Sequence, residues 1–539
     1  MLHKISLLLL TLLLLPSFVF ARNPNDPYYE NQWYLERINA PQAWGTITGS
    51  REIVVAVLDA GIDMDHPDLS ANLWQNSDEI LDGIDNDNNG FIDDYQGWDF
   101  VTNDNDPGPV IENGADSDAI SHGSIIAGII GAVGNNNEGI TGINWQVSIM
   151  AVRTLNRLGI GSSEKAAKAI NYAVANGADI INLSFAGVEN DLALQAAVEA
   201  AYDAGVIVVA AAGNEAADLH FNQTFPVCYG TAQEQWVIGV GATDVNDQRF
   251  EMSNYGECVD VGAPGHGFFG TVYYAPTGDP DGDFEEAYEG YWSGTSMSSP
   301  VVAGATALML AVNPNLSSNN IVDILEHTSD PLEYIEPCQK TLGQGRINIQ
   351  RAIEAAQNYS GFPETPSLIQ YGISPVTGGQ EMISNVENGD CIRTSSFSTV
   401  YHVGQDSIRR IFIDAVTYFT YADTFDTVGS VSDATLPTMS IGGTILPKPG
   451  VVLVKIQSDP RVYATEVNEN DPYSPILRAI ETEEIARQMY GARWADYVID
   501  VEPTFFSRYT QGEPITKAIS VNKTILKTRQ EIANLINNQ

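Results

Sequence analysis

The sequence predicts an α/β domain, a doubly wound parallel sheet flanked by helices, followed by a smaller β-rich or α+β C-terminal module. Three observations carry that prediction. Between residues 50 and 310, short apolar runs rich in β-branched residues alternate with Ala-rich stretches of helical spacing. Those stretches stop at glycines, and beyond residue 357 the texture changes to shorter runs rich in Thr, Tyr and Val.

Taken in order, residues 1–21 read as a signal peptide. Lys4 precedes the apolar run Ile5 to Leu15, and Val19 and Ala21 supply small residues where a signal peptidase reads. The run is shorter than the roughly 20 residues a membrane span needs, and Pro16 interrupts it. No later segment is expected to be a transmembrane segment, so the protein is expected to be secreted.

Residues 22–358 form the first domain. Ile53 to Leu58, Ser148 to Val152, Asp179 to Leu183, Val206 to Ala212 and Trp236 to Val240 are its expected strands. Near-continuous apolar character marks strands covered on both faces, as in parallel sheets. The helical stretches Ser163 to Asn176 and Asp191 to Ala204 end at Gly177 and Gly205, and a last helix is expected around Ile349 to Gln357. In such sheets, sites gather beyond the carboxyl ends of the strands.

Residues 359–390 read as a linker and 391–516 as a module with two weak repeats. Val400-Tyr401, Arg410-Ile411, Val431-Ser432-Asp433 and Gly442 recur as Val462-Tyr463, Ala479-Ile480, Val498-Ile499-Asp500 and Gly512. The tail 517–539 has helical spacing and a basic excess.

Composition narrows the partners. Hydrophobic residues make up 44% and charged residues 18%, a globular balance, while the formal net charge is −43. Such a surface repels phosphate backbones and anionic membranes, which excludes nucleic acid as a partner class, and it suits hard cations. Four cysteines are too few for a disulfide framework. Cys228 and Cys258 flank one expected strand and could pair in an oxidising compartment. Cys338 and Cys391 straddle the linker, either as an interdomain clip or as free thiols.

Four polar residues stand at or near element ends: Asp59 after IVVAVL, His122 opening HGSIIAGII, Asn214 after VIVVAAAG, and Ser296 in SGTSMSSPVVAGATALML. A serine hydroxyl needs a base to become a nucleophile, and histidine suits that task at neutral pH. A buried carboxylate fixes the imidazole's tautomer, and a carboxamide can donate to a developing oxyanion. Each residue alone has a bland reading as a cap, a turn or a surface group; the combination does not.

With VAVLDAGIDMDHPDL, HGSIIAGIIGA, VVAAAGNE, GTSMSSPVVAGA and GQGRIN, residues 25–357 resemble the subtilisin-like serine proteases. That resemblance implies a catalytic Asp59, a general base His122, a nucleophile Ser296 and an oxyanion donor Asn214. It also implies an extended protein or peptide substrate held between Leu158, Gly159, Ile160 and Gly161 on one edge and Ser184, Phe185, Ala186 and Gly187 on the other. Ala211, Ala212 and Gly213 would line the primary pocket, with no acidic group in its walls and Glu215 at its rim. Large apolar residues before the cleaved bond would then be preferred. Isoleucine stands at position 125, where many members carry a second histidine outside the triad.

Residues 76–118 hold 13 Asp and Glu and no Lys or Arg. Within them Asp85, Asp87, Asn89, Phe91 and Asp93 follow the alternate-ligand spacing of a calcium loop, with Gly90 sixth. Gln96 stands twelfth, so a bidentate ligand must come from elsewhere, with Asp94 a candidate; the alternative is a solvated acidic loop. The resemblance, nearest to the thermitase branch, implies a second Ca2+ site from Asp26, Asp68, Asn136 and the carbonyls of Val133, Glu138 and Ile140. Asp279, Asp281 and Asp283 are a weaker third set. An alternative reading makes the chain a surface-attachment protein, with cell-surface contact through the repeats beyond residue 390.

Overall fold

The computed structural model describes residues 21–332 apart from 112–115, 218, 220–221, 231–235, 257 and 277–283, then 342–362, 386 and 390–537 apart from 395–396, 405–406, 423–424, 426–427, 457–459, 469–470 and 524. The signal segment, Cys338, Asp279, Asp281, Asp283 and most of the expected linker lie outside the described residues. Two compact units result, one reaching to residue 362 and one formed by the described residues from 386 onward.

In the first unit β1 (Gly49–Asp59), β2 (Gly97–Asp99), β3 (Gln146–Arg153), β4 (Ile180–Leu183), β5 (Ile207–Ala211), β6 (Val237–Thr243) and β7 (Val261–Pro264) form one sheet in the order β2-β3-β1-β4-β5-β6-β7. Every neighbouring pair is parallel. The strand β1 shows why the apolar runs are continuous. Val55 and Val57 enter one core cluster, Ala56 and Leu58 the other, so both faces are covered. The helices Ser163–Ala175 and Leu192–Asp203 are capped by Ser162 and Asp191, whose side chains accept backbone N–H groups of the first turn.

A two-stranded antiparallel ribbon, β8 (Phe268–Thr271) with β9 (Tyr288–Trp292), precedes the helix Thr295–Val312. That helix is apolar and long enough to cross a membrane by length and composition, but it is almost wholly buried in the core. Cys228 and Cys258 are joined, and Cys391 is also disulfide-bonded.

The second unit repeats one design twice. β10 (Cys391–Thr394), β11 (Phe397–Val403), β12 (Arg409–Phe412), β13 (Val428–Val431) and β14 (Ile441–Ile445) pair in the order β13-β10-β11-β12-β14. β15 (Leu453–Lys455), β16 (Tyr463–Glu466), β17 (Ile476–Ala479), β18 (Val498–Asp500) and β19 (Thr510–Gln511) pair in the corresponding order β18-β15-β16-β17-β19. The cross-strand pairs correspond as well: Tyr401 faces Ile411 as Tyr463 faces Ala479, and His402 faces Arg410 as Ala464 faces Arg478. Gly442 packs on Ile408 and Arg410 as Gly512 packs on Ile476 and Arg478. Arg410 therefore corresponds to Arg478, one residue earlier than the sequence match aligned it. One core cluster takes Phe412, Tyr418 and Phe419 from the first repeat and Val454, Tyr463 and Leu477 from the second. Among the described residues the tail is helical over Arg529–Asn537, and Ile532 enters that same cluster, so the tail helix is part of the module.

Candidate active site

Asp59 is the last residue of β1 and is buried, with its Oδ1 accepting from the N–H of Ala60 at 2.7 Å. His122 lies in the second turn of the helix Ser117–Gly131, not at its start as the sequence motif placed it. Asp116 caps that helix through the N–H groups of Asp118 and Ala119. The helix comes close because of Gly123, where a Cβ would meet the carbonyl oxygen of Gly61 at 2.1 Å. His122 Nδ1 thereby donates to Asp59 Oδ1 at 2.8 Å and Oδ2 at 3.0 Å. Burial alone would depress the imidazole pKa, but the Asp59 carboxylate outweighs it, helped by Asp118, and the net shift is upward from 6.5. With Nδ1 committed, Nε2 is the nitrogen left for chemistry.

Ser296 is the second residue of the helix Thr295–Val312, which places its hydroxyl at the positive end of the helix dipole. Pro300, four residues on, has no N–H to give the Ser296 carbonyl, and the Ser184 hydroxyl donates to that carbonyl instead at 2.9 Å. Ser184 in turn accepts from Asn182 Nδ2 at 2.9 Å, and Asn182 Oδ1 accepts from Ser299 at 2.8 Å. This buried chain ties the turn bearing Ser296 to β4. Asn182 was not singled out in the sequence, where it only interrupts an apolar run.

Asn214 follows β5, and its Oδ1 accepts from the N–H and hydroxyl of Thr295 at 2.9 and 3.1 Å. That fixes the amide's orientation and turns Nδ2 toward Gly294. A Cβ at Gly294 would stand 3.3 Å from both Asn214 Nδ2 and Ser296 Oγ, so the two groups converge on one point.

Asp59, His122, Asn214 and Ser296 line one cleft of about 300 Å³. Gly159, Ser184, Phe185, Ala186, Ala211 and Gly213 line it too. Ile160 is exposed beside Gly159, Gly161 packs on Leu155, Gly187 bridges Phe225, and none of the three is in the wall. Ala212 is buried in the core instead of lining the pocket, its carbonyl accepting from Thr224 and Asn254. Asp118, Glu215 and Trp292 also line the cleft.

Two groups of oxygen donors lie apart from this cleft. In the first, buried Asp26 accepts from the N–H groups of Asn135 and Asn136, while Asp68 accepts from Asn136 Nδ2 at 2.8 Å and the Ile140 N–H at 2.9 Å. The Val133 N–H donates to the Asp68 carbonyl, and the Glu138 N–H to Asn136 Oδ1. Burial, with Asp26 and Glu138 nearby, pushes the Asp68 carboxyl up to about 7. Close-set carboxylates of this kind fit a hard divalent cation.

In the second, Asp85 and Asp87 gather with Glu79, which the spacing rule had not included. Glu79 Oε1 accepts from the N–H groups of Asn86 and Asp87, whereas its Oε2 is buried without a hydrogen-bond partner among the described residues. An orphaned buried carboxylate oxygen beside two further carboxylates also fits a cation. The remaining expected ligands are engaged in holding the loop. Asn89 Nδ2 donates to Asp87 and Asp94, the Phe91 N–H donates to Asn89 Oδ1, and Asp93 accepts from the N–H groups of Asp82 and Gly83. Asp94, the candidate for the bidentate ligand, accepts from Tyr172 and Asn89 through Oδ2 and from Asn76 through Oδ1.

Known proteins are similar to part of this chain. Thermitase from Thermoactinomyces vulgaris is 35% identical over 332 residues, covering 61% of this chain and 99% of that protein. Subtilisin E from Bacillus subtilis (strain 168) is 32% identical over 320 residues, covering 59% and 70%. Among solved structures, a protease of Pseudoalteromonas arctica matches at 29% identity and a TM-score of 0.50, covering 62% of this chain and 99% of that one. Residues 50–356 match the subtilase family, and the chain, a subtilisin-like serine protease, belongs to it.

Proposed function

We propose that the protein is a secreted, calcium-stabilised serine endopeptidase in which Asp59, His122 and Ser296 form the triad and Asn214 is the oxyanion donor. The observation that carries this reading is the Asp59–His122 hydrogen bond of 2.8 Å at the edge of a cleft holding Ser296 and Asn214. His122 Nε2 takes the Ser296 proton as Oγ attacks the scissile carbonyl. Negative charge on the carbonyl oxygen meets Asn214 Nδ2 and the start of the helix Thr295–Val312. His122 then passes its proton to the departing amine, leaving Ser296 acylated, and next draws a proton from the water that releases the acid. Asp59 accepts from the imidazolium that forms and stabilises it.

The apolar surfaces of Phe185, Ala186 and Ala211 support a preference for large apolar residues before the cleaved bond. Asp26 and Asp68, with Asn136 and the carbonyls nearby, would hold one calcium ion, and Glu79, Asp85 and Asp87 another. When bound, calcium supplies counter-charge that fixes the N-terminal segment and the acidic loop onto the domain, and it takes no part in the reaction.

Digestion of casein and of defined peptides, with Ser296→Ala as control, tests the assignment. Cleavage by the parent and none by the variant is the expected outcome. Equal rates for the two would end the triad reading.

A further inference from the structure

The ribbon of β8 and β9 touches the Asp26–Asp68 donors on one side and the active site on the other. On the donor side, Tyr28 lies two residues beyond Asp26, and its N–H donates to the Gly139 carbonyl at 2.9 Å. Its ring meets Phe269 of β8 and Tyr288 of β9, both at 5.3 Å between centroids. The Tyr288 hydroxyl is buried without a hydrogen-bond partner among the described residues. It shares a crevice with Asp68, because a Cβ at Gly139 would stand 2.1 Å from that hydroxyl and 2.3 Å from Asp68 Oδ2. His66 adds a further tie: its Nδ1 accepts from the Asp68 N–H at 3.1 Å, and its Nε2 donates at 2.9 Å to the carbonyl of Ala287, the residue before β9. On the other side, the Thr271 hydroxyl of β8 donates at 2.7 Å to the carbonyl of Ser124, in the helix that bears His122. β9 ends at Trp292, which lines the cleft, and the chain runs on through Gly294 to Ser296.

Resting on the protease and calcium readings, we propose that Tyr28 and Tyr288 are positioning residues that couple cation binding at Asp26 and Asp68 to substrate binding in the cleft. Carboxylates that hold a metal are themselves held by outer hydrogen bonds, and the Tyr288 hydroxyl is the donor beside Asp68 Oδ2. A divalent cation fastens the segment of Asp26, and with it presses the Tyr28 ring onto both strands of the ribbon. A substrate in the cleft orders the same ribbon from Trp292 and from the helix of His122. Whichever ligand arrives first bears the ordering entropy, so the second binds more tightly, and the effect is reciprocal. Neither tyrosine lines the cleft, so any effect of theirs on substrate passes through the ribbon.

The test titrates calcium by calorimetry into the full-length protein, with and without a saturating peptide boronate ending in phenylalanine. Every protein compared carries Glu79→Gln, so that the acidic loop adds no heat. The boronate is expected to tighten calcium binding about fivefold, and calcium to tighten boronate binding by the same factor. Hydrogen exchange of the β8 and β9 amides should slow when either ligand is added. Tyr288→Phe, which keeps the ring, and Tyr28→Ala are each expected to bring both factors below about twofold. Equal calcium affinity with and without the boronate, or no calcium binding at all, would overturn the coupling while leaving the triad intact. Full coupling kept in either variant would overturn the role of that tyrosine. A boronate that fails to bind the parent would overturn the protease reading as well.

Discussion

Substituting Gly294 by alanine probes whether the convergence of Asn214 and Ser296 matters for turnover. Gly294 sits at φ 142°, ψ 167°, a region open almost only to glycine, and an alanine forced there costs about 1–3 kcal/mol. In a domain of this size that is a fall in Tm of about 2–6 °C. The new methyl also stands 3.3 Å from Ser296 Oγ and from Asn214 Nδ2, in the space the scissile carbonyl group needs to bring its carbon to Oγ and its oxygen to Nδ2. Denying access to that donor should lower kcat by about 10²–10³, the range known when a subtilisin loses its amide donor. Thermal scanning and peptide-anilide kinetics of Gly294→Ala, Asn214→Ala and the double variant measure both effects. If the methyl acts by blocking the amide, the double variant is scarcely slower than either single one. A Gly294→Ala enzyme with the parent's kcat, or strictly multiplicative losses, would refute the geometry.

Other outcomes follow from the same atoms. Because Asp59 raises the His122 pKa above 6.5 against the effect of burial, and the base works neutral, kcat/KM should fall with acidification through a midpoint above 6.5. Asp59→Asn should move that midpoint to lower pH and cut kcat by about 10⁴; an unmoved midpoint would contradict the assignment. Chelation should lower Tm, since a site held at 100 times its Kd contributes about 2.7 kcal/mol, and Glu79→Gln should remove part of the calcium response. An identical calcium titration for parent and Glu79→Gln would exclude the acidic-loop site. Arg346 is buried between Asp247 and Asp330, at 2.7 and 2.9 Å, and donates to the Arg37 carbonyl. Arg346→Ala should therefore cost about 3 kcal/mol in denaturant unfolding, and a loss under 1 kcal/mol would show the network to be dispensable.

The strands most legible in the sequence were those buried on both faces, because an unbroken apolar run has few other meanings. β2 and β7 escaped notice because they are three and four residues long and carry glycine, aspartate or proline among their apolar residues. Asp59, His122, Asn214 and Ser296 stood out from their local patterns, but Asn182 and Ser184 act through hydrogen bonds that no spacing announces. Glu79 was missed because it precedes the calcium-like loop and reaches it only through the fold. In the repeats, the glycines and tyrosines matched, while unequal loops shifted the arginine alignment by one residue.

The two repeats share one interior, because Tyr418 and Phe419 of the first lie in the same cluster as Val454, Tyr463 and Leu477 of the second. Half of the module cannot be divided off without exposing aromatic surface to water. A polypeptide ending near residue 450 would be sticky rather than merely shorter, and a nick in the loop between the copies would leave the fragments clasped. The pair melts as one body, and evolution could add to it or remove from it only in whole repeats.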